Sequence, residues 1–175
     1  MNSGLNDIRI ENLIDFLKNL NIKSKRFEKG LINKDLKMLG YIDESLTHSS
    51  AHKNKSHEKL EFFGDAVLRL AASEFIDHNY KKIDVGKRSE LRAQIVSDEW
   101  LTKLGKKINL EKIIIVGKQA LRDNYSKDTI IAETAEALIG AIYKSFNSIS
   151  EINLWLDQYW LVDSRLILDS PHLFN

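Results

Sequence analysis

The sequence predicts an all-α fold, and three observations support that prediction. Only one proline, Pro171, occurs in 175 residues, so helices can run almost anywhere without interruption. Apolar residues recur at spacings of three and four, which is the period of a helix that buries one face. Residues 113–116, Ile-Ile-Ile-Val, have strand-like composition, but no other segment offers a convincing partner strand, so we expect no sheet.

The composition is that of one globular domain with a real core, since 43% of the residues are hydrophobic and 29% are charged. Lys and Arg number 26 against 25 Asp and Glu, so a surface that binds nucleic acid would have to be local. The sequence has no cysteine, which excludes disulfides and thiolate metal sites. It shows no apolar run of about 18 residues and no signal peptide, and we expect a cytoplasmic protein without a membrane span.

The N-terminus is predicted to form an amphipathic helix over residues 8–21. Its apolar positions are Ile10, Leu13, Ile14, Leu17 and Leu20. Lys23, Lys25, Arg26 and Lys29 follow. We interpret this basic stretch as a solvated loop, with contact to an RNA backbone as the alternative.

Two short helices are expected next. Asn33 is a plausible N-cap for the first, which Gly40 would end, and Asp43 is a plausible N-cap for the second, which would hold residues 46–50.

A long helix is then predicted, with Ser56 as its N-cap and its end near residue 78. Glu58, Glu61 and Asp65 occur in it at spacings of three and four, which places them within roughly 60° of one another on a helix. Like charges so placed repel each other, so we expect a cationic group on that face.

The same helix has an apolar face made by Leu60, Phe63, Val67, Leu70 and Ala71. Phe62 and Ala66 lie on its flank. An interior glycine, Gly64, costs about 1 kcal/mol relative to alanine. We therefore expect another backbone to approach closely at Gly64.

A helical pattern from Gly86 to Gly105 follows, with a break near Ser97, and residues 117–128 are interpreted as a loop. The last helix is predicted over residues 150–168, before Pro171.

A second acidic helix is predicted to begin near Asp128. It carries Glu133 and Glu136 three residues apart, again among small and apolar residues, and again with an interior glycine, Gly140. If the two acidic helices cross at their glycines, four or five carboxylates converge.

Converging buried carboxylates require basic partners, protons or a divalent cation. An all-oxygen site favours Mg²⁺ or Mn²⁺, which can activate water at a phosphodiester. The alternative is a purely structural face, because Arg69 lies almost on the same face as Asp65. The five histidines show no metal-ligand spacing, and we expect none of them to be a ligand: His48, His52, His57, His78 and His172.

Residues 57–68 resemble the signature of the ribonuclease III family, commonly Asn-Glu-Arg-Leu-Glu-Phe-Leu-Gly-Asp-Ala/Ser-x-Leu. Residues 46–50 resemble the family's Leu-Thr-His-(Arg/Ser)-Ser segment. Residues 131–140 resemble its second acidic motif, usually Leu-Ala-Asp-x-x-Glu-Ala-hydrophobic-Ile/Leu-Gly. The family's Gly-x-x-Ser-x-x-Arg stretch is matched by Gly86, Ser89 and Arg92. The resemblance extends from about residue 30 to about residue 165.

The resemblance implies an all-α, homodimeric endonuclease domain that cuts double-stranded RNA with Mg²⁺, for which Mn²⁺ can substitute. Its products would be staggered ends with 5′-phosphate and 3′-hydroxyl groups, made during processing of ribosomal and other RNA. The resemblance assigns the metal-binding and catalytic roles to Glu61, Asp65, Glu133 and Glu136. Glu58 maps to an accessory acid in the cleft, Ser89 and Arg92 to RNA binding, and the helix of residues 57–68 to the dimer interface.

The sequence departs mildly from the signature at His57, Lys59 and Phe63 and more consequentially at Glu133, where the family usually has Asp. The extra methylene moves the carboxylate by roughly 1 Å, a misplacement that can cost about 100-fold in rate. We still expect an active enzyme. The alternatives are a non-cleaving domain of the same fold that binds structured RNA or scaffolds a ribonucleoprotein, and a helical interaction module with structural acids.

We expect residues 1–168 to form the nuclease domain, with an N-terminal helix and basic loop in residues 1–25. Residues 169–175 would be a stub that precedes the position of a double-stranded-RNA-binding domain in many bacterial members.

Overall fold

The computed structural model describes residues 5–118, 120 and 124–169, and the prediction of an all-α fold is confirmed. Thr47 and Ile115 form an isolated parallel bridge, and no strand occurs in the described ranges. The helices are α1 (Asp7–Asn19), α2 (Lys25–Ile32), α3 (Leu36–Ser45), α4 (Glu58–Asn79), α5 (Val85–Ile95), α6 (Asp98–Lys107), a short 3₁₀ helix (Leu110–Lys112), α7 (Asn124–Phe146) and α8 (Ser150–Asp169).

Helix α7 lies at the centre of the domain and packs against α3, α4 and α6. A helix that is apolar over most of its circumference has to be covered on several sides. Accordingly, its middle is fully buried at Ala135, Ala137, Leu138, Ile139, Ala141 and Ile142. This central position fixes where the acids of α7 can lie.

Helices α4 and α7 cross at their interior glycines, which confirms the close approach of another backbone expected at Gly64. A Cβ atom on Gly64 would overlap the carbonyl oxygen of Glu136, and one on Gly140 would overlap the carbonyl oxygen of Leu60. A Cβ atom on either glycine would also lie 3.1 Å from the backbone nitrogen of the other. The two backbones therefore touch, and the acids one turn away on each helix face the same region.

The basic segment after α1 is helical from Lys25 onward, so the loop prediction was wrong for most of it. Ser24 Oγ caps α2 by accepting from the backbone N–H of Phe27 at 3.3 Å. Arg26 donates to the carbonyl oxygen of Phe146 at 2.8 Å and lies over its ring. The helix buries Phe27 and Gly30. These are its only two buried positions, and the charged residues around them hide the helical pattern in the sequence.

Helix α3 replaces the two short helices expected after residue 33. Asp35, not Asn33, caps it by accepting from the backbone N–H groups of residues 37 and 38. Gly40 continues the helix, and Asp43 lies inside it, where it accepts from Arg9 Nε at 2.8 Å. Residues 46–50 are not helical.

Helix α4 ends at Asn79 as predicted, but its N-cap is His57, not Ser56. The backbone N–H of His57 donates to the carbonyl oxygen of Thr47 at 2.9 Å. This long-range bond decides where the helix begins.

The predicted break between α5 and α6 is confirmed, because Ser97 Oγ accepts from the backbone N–H of Trp100 at 3.2 Å. Gly105 does not end α6, which runs to Lys107. A Cβ atom at Gly105 would overlap the side chain of Ile131, so this glycine serves the packing of α6 on α7.

Helix α7 begins at Asn124, earlier than predicted. Asp128 joins α7 to α6, since its carboxylate accepts from Lys106 Nζ at 2.7 Å. The prediction for the last helix is confirmed by α8, whereas Pro171 and His172 fall outside the described residues. The proposed boundary at residue 168 stays a prediction. No helix in the described part of the chain is long and apolar enough to cross a membrane.

Candidate metal centre at the crossing of two helices

Helix α4 presents three acids on one face, as its spacing predicted. Glu58 is exposed in the first turn, Glu61 is half-buried one turn later, and the side chain of Asp65 is 43% exposed. Asp65 Oδ1 accepts from Arg69 Nε at 2.8 Å. The ion pair of Arg69 with Asp65, which the sequence suggested as a structural alternative, therefore exists. It involves only Asp65 of the three acids.

Glu136 on α7 is the acid most affected by its neighbours. Burial raises the pKa of Glu136 to about 7, and the negative charges of Asp65, Glu61 and Asp98 add to that rise. The positive charge of Arg69 opposes the rise only weakly. Acids of both helices therefore lie within electrostatic range of one another, and Arg69, which pairs with Asp65, offsets the pKa rise of Glu136 only in part.

Glu61 connects this group to Glu133 on α7. Burial raises the pKa of Glu61, the charge of Glu133 raises it further, and His57 acts in the opposite direction. Glu61 thus lies within electrostatic range of Glu133 and Glu136, and Asp65 lies within range of Glu136. That all four acids share one metal site stays a prediction.

His57 lies inside the acidic group, which the sequence analysis did not anticipate. Its side chain is buried, and Nε2 lies 3.3 Å from Glu61 Oε2 and 3.4 Å from Glu133 Oε2. Its Nδ1 lies 3.3 Å from the carbonyl oxygen of Thr47. Burial lowers the pKa of His57, but the bonds and charges of Glu133, Glu61 and Thr47 outweigh that effect and raise it.

His48 lies against one face of the His57 ring. The two rings stack with centroids 4.9 Å apart, and His48 Nε2 lies 3.9 Å from Glu133 Oε2. Burial, and then the neighbouring His57, lower the pKa of His48. One possible ligand atom from each of His48, His57 and Glu133 lies within 4.8 Å of the others. The expectation that neither histidine is a metal ligand stays a prediction, although the structure places both rings beside Glu133.

The signals for these histidines were present in the sequence, although their spacing was uninformative. His48 belongs to the Leu-Thr-His segment, and His57 is the first residue of the signature stretch. Asp98 was missed for another reason, since an acid in the first turn of a helix is ordinary. Its charge nevertheless reaches both Glu61 and Glu136.

Ser89 and Arg92 lie exposed on α5, and their proposed RNA contacts stay predictions. Arg92 Nη1 donates to Ser73 Oγ on α4 at 3.0 Å, which orients this cation beside α4.

The apolar flank of α4 is divided between surface and core. Phe62 is 85% exposed, and Leu70, which was predicted to be buried, is also exposed. Phe63 is half-buried against Tyr143, with ring centroids 5.4 Å apart, and Lys144 Nζ lies 4.0 Å from the centre of its ring. The exposed part of the flank is therefore centred on Phe62.

These features define an all-α domain with an acidic centre where two helices cross, a class of site suited to a hard divalent cation. The family model described as Ribonuclease-III-like matches residues 41–152. The chain therefore belongs to the ribonuclease-III-like family, as the motifs indicated.

Relatives and solved structures agree with this assignment. Ribonuclease 3 of Prochlorococcus marinus is 45% identical over 95% of this chain and 67% of that protein. Ribonuclease 3 2 of Synechocystis sp. is 36% identical over 77% of this chain and 55% of that protein. The nuclease domain of ribonuclease III from Campylobacter jejuni superposes with a TM-score of 0.60 at 26% identity, covering 91% of this chain and 95% of that one. The curated relatives are thus considerably longer than the part that this chain matches.

Proposed function

We propose that this chain is the nuclease domain of an endoribonuclease that hydrolyses phosphodiester bonds in double-stranded RNA with a divalent metal ion. The observation that supports this most strongly is the electrostatic coupling of acids on α4 and α7, because burial first and then the charges of Asp65 and Glu61 raise the pKa of Glu136 to about 7. A site with this excess of negative charge is stabilised by binding a cation.

The donor set fits Mg²⁺, with Mn²⁺ as a substitute, because it consists of carboxylate oxygens and no thiolates. Glu61, Asp65, Glu133 and Glu136 would hold the ion. When bound, the ion supplies Lewis-acid stabilisation of the negative charge that develops at the phosphate oxygens. Glu136 would give up its proton on binding the ion, since its carboxylate must be ionised to act as a ligand.

The remaining residues are proposed to orient the substrate. Glu58, exposed one turn before Glu61, would line the cleft. Ser89 and Arg92 would contact the RNA backbone from α5. Recognition would depend on A-form shape and 2′-hydroxyl groups rather than base sequence.

We further propose that two copies pair through the α4 flank around Phe62. Two centres, each cutting one strand, would leave staggered ends with 5′-phosphate and 3′-hydroxyl groups. Such a product pattern suits the processing of ribosomal and other structured RNA in the cytoplasm.

A cleavage assay on long duplex RNA tests the proposal, with Mg²⁺ and then with EDTA. We expect metal-dependent products from the wild type and a loss of at least about 100-fold in Glu136→Gln, as removal of a metal ligand predicts. Glu28→Gln is the matched control, because Glu28 is exposed on α2. If Glu136→Gln cut as fast as the wild type, the proposed ligand set would be wrong.

The second candidate function is a non-cleaving domain that binds structured RNA. It is favoured by the position of Glu133, whose Oε2 lies 3.4 Å from His57 Nε2. Binding of duplex RNA by the wild type without any metal-dependent product would support this alternative.

A further inference from the structure

His57 and Glu133 are two of the positions at which this sequence departs from the ribonuclease III signature, and they are in contact. One lies at the start of α4 and the other on α7, 76 residues later in the chain. Their side chains meet through His57 Nε2 and Glu133 Oε2 at 3.4 Å. From this contact we infer that His57 is a positioning residue for the carboxylate of Glu133, and that the two departures function as a pair. The inference rests on the proposed metal-dependent function.

The His57 ring is held rigidly enough for such a role. Its side chain is buried, Nδ1 lies 3.3 Å from the carbonyl oxygen of Thr47, and one face stacks on His48. The backbone N–H of His57 donates to the same carbonyl group. Position and orientation of Nε2 are therefore fixed by the segment around Thr47, independently of Glu133.

The extra methylene of Glu133 explains why this carboxylate needs an anchor. A glutamate has one more rotatable bond than an aspartate, so its carboxylate samples more positions unless a contact selects one. His57 Nε2 supplies that contact and also reaches Glu61 Oε2 at 3.3 Å. One ring nitrogen thus fixes carboxylates from both helices.

Changing either His57 or Glu133 alone removes the contact between them. An aspartate at 133 would withdraw its carboxylate by roughly 1 Å, beyond hydrogen-bond distance of Nε2. An asparagine at 57 lacks the ring nitrogen that holds Glu133 and would leave the longer side chain without its anchor. An aspartate beside that asparagine does not need the anchor, because it has one rotatable bond fewer. Changing both restores the residues that the family signature usually has at these positions.

A double-mutant cycle tests the pair with four proteins: the wild type, His57→Asn, Glu133→Asp and the double variant. Mg²⁺ affinity is measured by calorimetry and thermal unfolding without metal, with cleavage as a third readout. We expect each single variant to bind Mg²⁺ about 10-fold more weakly or worse, the usual effect of losing a group that orients a ligand. The double variant should return to within about 3-fold of the wild type.

Two further variants separate positioning from structural loss. His57→Gln, whose amide nitrogen can replace Nε2, should retain most of the Mg²⁺ affinity. His52→Asn, an exposed histidine in the preceding loop, should change nothing. Independent effects, in which the losses of the single variants multiply in the double variant, would overturn the inference, as would a gain of affinity in Glu133→Asp alone.

The same proteins distinguish this inference from the proposed function. If the wild type binds Mg²⁺ and the cycle shows coupling but no RNA is cut, the pair stands and the nuclease proposal fails. If RNA is cut but the losses multiply, the nuclease proposal stands and the pairing fails. A wild type that binds no Mg²⁺ contradicts both.

Discussion

Glu136 lies half-buried among like charges, an arrangement that destabilises the folded chain when no cation is bound. Burial and the neighbouring acids raise its pKa from 4.5 to about 7. A glutamine at this position would have almost the same shape without the charge. Glu136 is therefore less favourable for folding than glutamine would be. Such an unfavourable charge is typical of a functional site.

This pKa shift predicts how stability depends on pH at the level of one residue. The folded form binds the Glu136 proton more tightly than the unfolded form, so stability falls as the pH rises from about 4.5 to about 7. The shift corresponds to about 3 kcal/mol, which partial exposure reduces to about 1–2 kcal/mol. Metal-free Glu136→Gln should therefore gain that much stability over the wild type at pH 8 and little at pH 4.5.

Thermal unfolding in EDTA at the two pH values measures this difference. Glu28→Gln serves as the control, since it removes an exposed carboxylate of the same size. Parallel curves for Glu136→Gln and the wild type would show that Glu136 is not strained by its neighbours.

At the scale of the elements, the crossing of α4 and α7 positions the site. Its two glycines let the backbones touch, Asp65 follows Gly64 directly, and the carbonyl group of Glu136 lies at the contact itself. Separation of the helices would therefore move the ligands apart as well as opening the core. Fold stability and site geometry depend on the same few atoms.

Gly64→Ala tests this dependence. The new methyl group would overlap the carbonyl oxygen of Glu136, so we expect a loss of about 3 kcal/mol or more in the free energy of unfolding. Gly40→Ala is the matched control, because no atom lies within 4 Å of a Cβ at that helical position. That variant should be neutral or more stable by up to about 1 kcal/mol. Denaturant unfolding would contradict the close contact if both variants behaved alike.

The sequence was sufficient to predict the two acidic helices and the close approach at Gly64, because charge spacing and interior glycines are local patterns with few explanations. Helix ends were less predictable. Ser56 and Gly40 are both residues that commonly cap helices. The backbone hydrogen bond from His57 to Thr47 nevertheless accompanies the start of α4 after His57, and Gly40 lies inside α3. His57 was missed as a site residue because its role depends on a partner 76 positions away. Long-range contacts of this kind leave no periodic signal in one sequence.

At the scale of the whole molecule, α4 links the site to the surface. Its inner face carries Gly64 and the acids, while Phe62 stands 85% exposed on the outside. Phe62 and Leu70 leave apolar area exposed on this helix, which the proposed dimer would cover. The proposed dimer would place its interface directly beside both centres.

Phe62→Glu should convert the proposed dimer to a monomer, because it replaces apolar area at the interface with two like charges. Sedimentation velocity measures the change. Leu166→Glu on α8 provides the comparison, since Leu166 is also exposed but lies on a different helix. A dimer that survives Phe62→Glu and dissociates in Leu166→Glu would move the interface to α8.

The most direct test of the central claim is whether the acids of α4 and α7 form one divalent-cation site. Calorimetric titration of the wild-type chain with Mg²⁺ at pH 7 should show saturable binding with release of protons, since Glu136 is partly protonated there. Glu136→Gln should abolish this binding, and Glu28→Gln should leave it intact. Absence of binding in the wild type, or equal affinity in Glu136→Gln, would contradict the account.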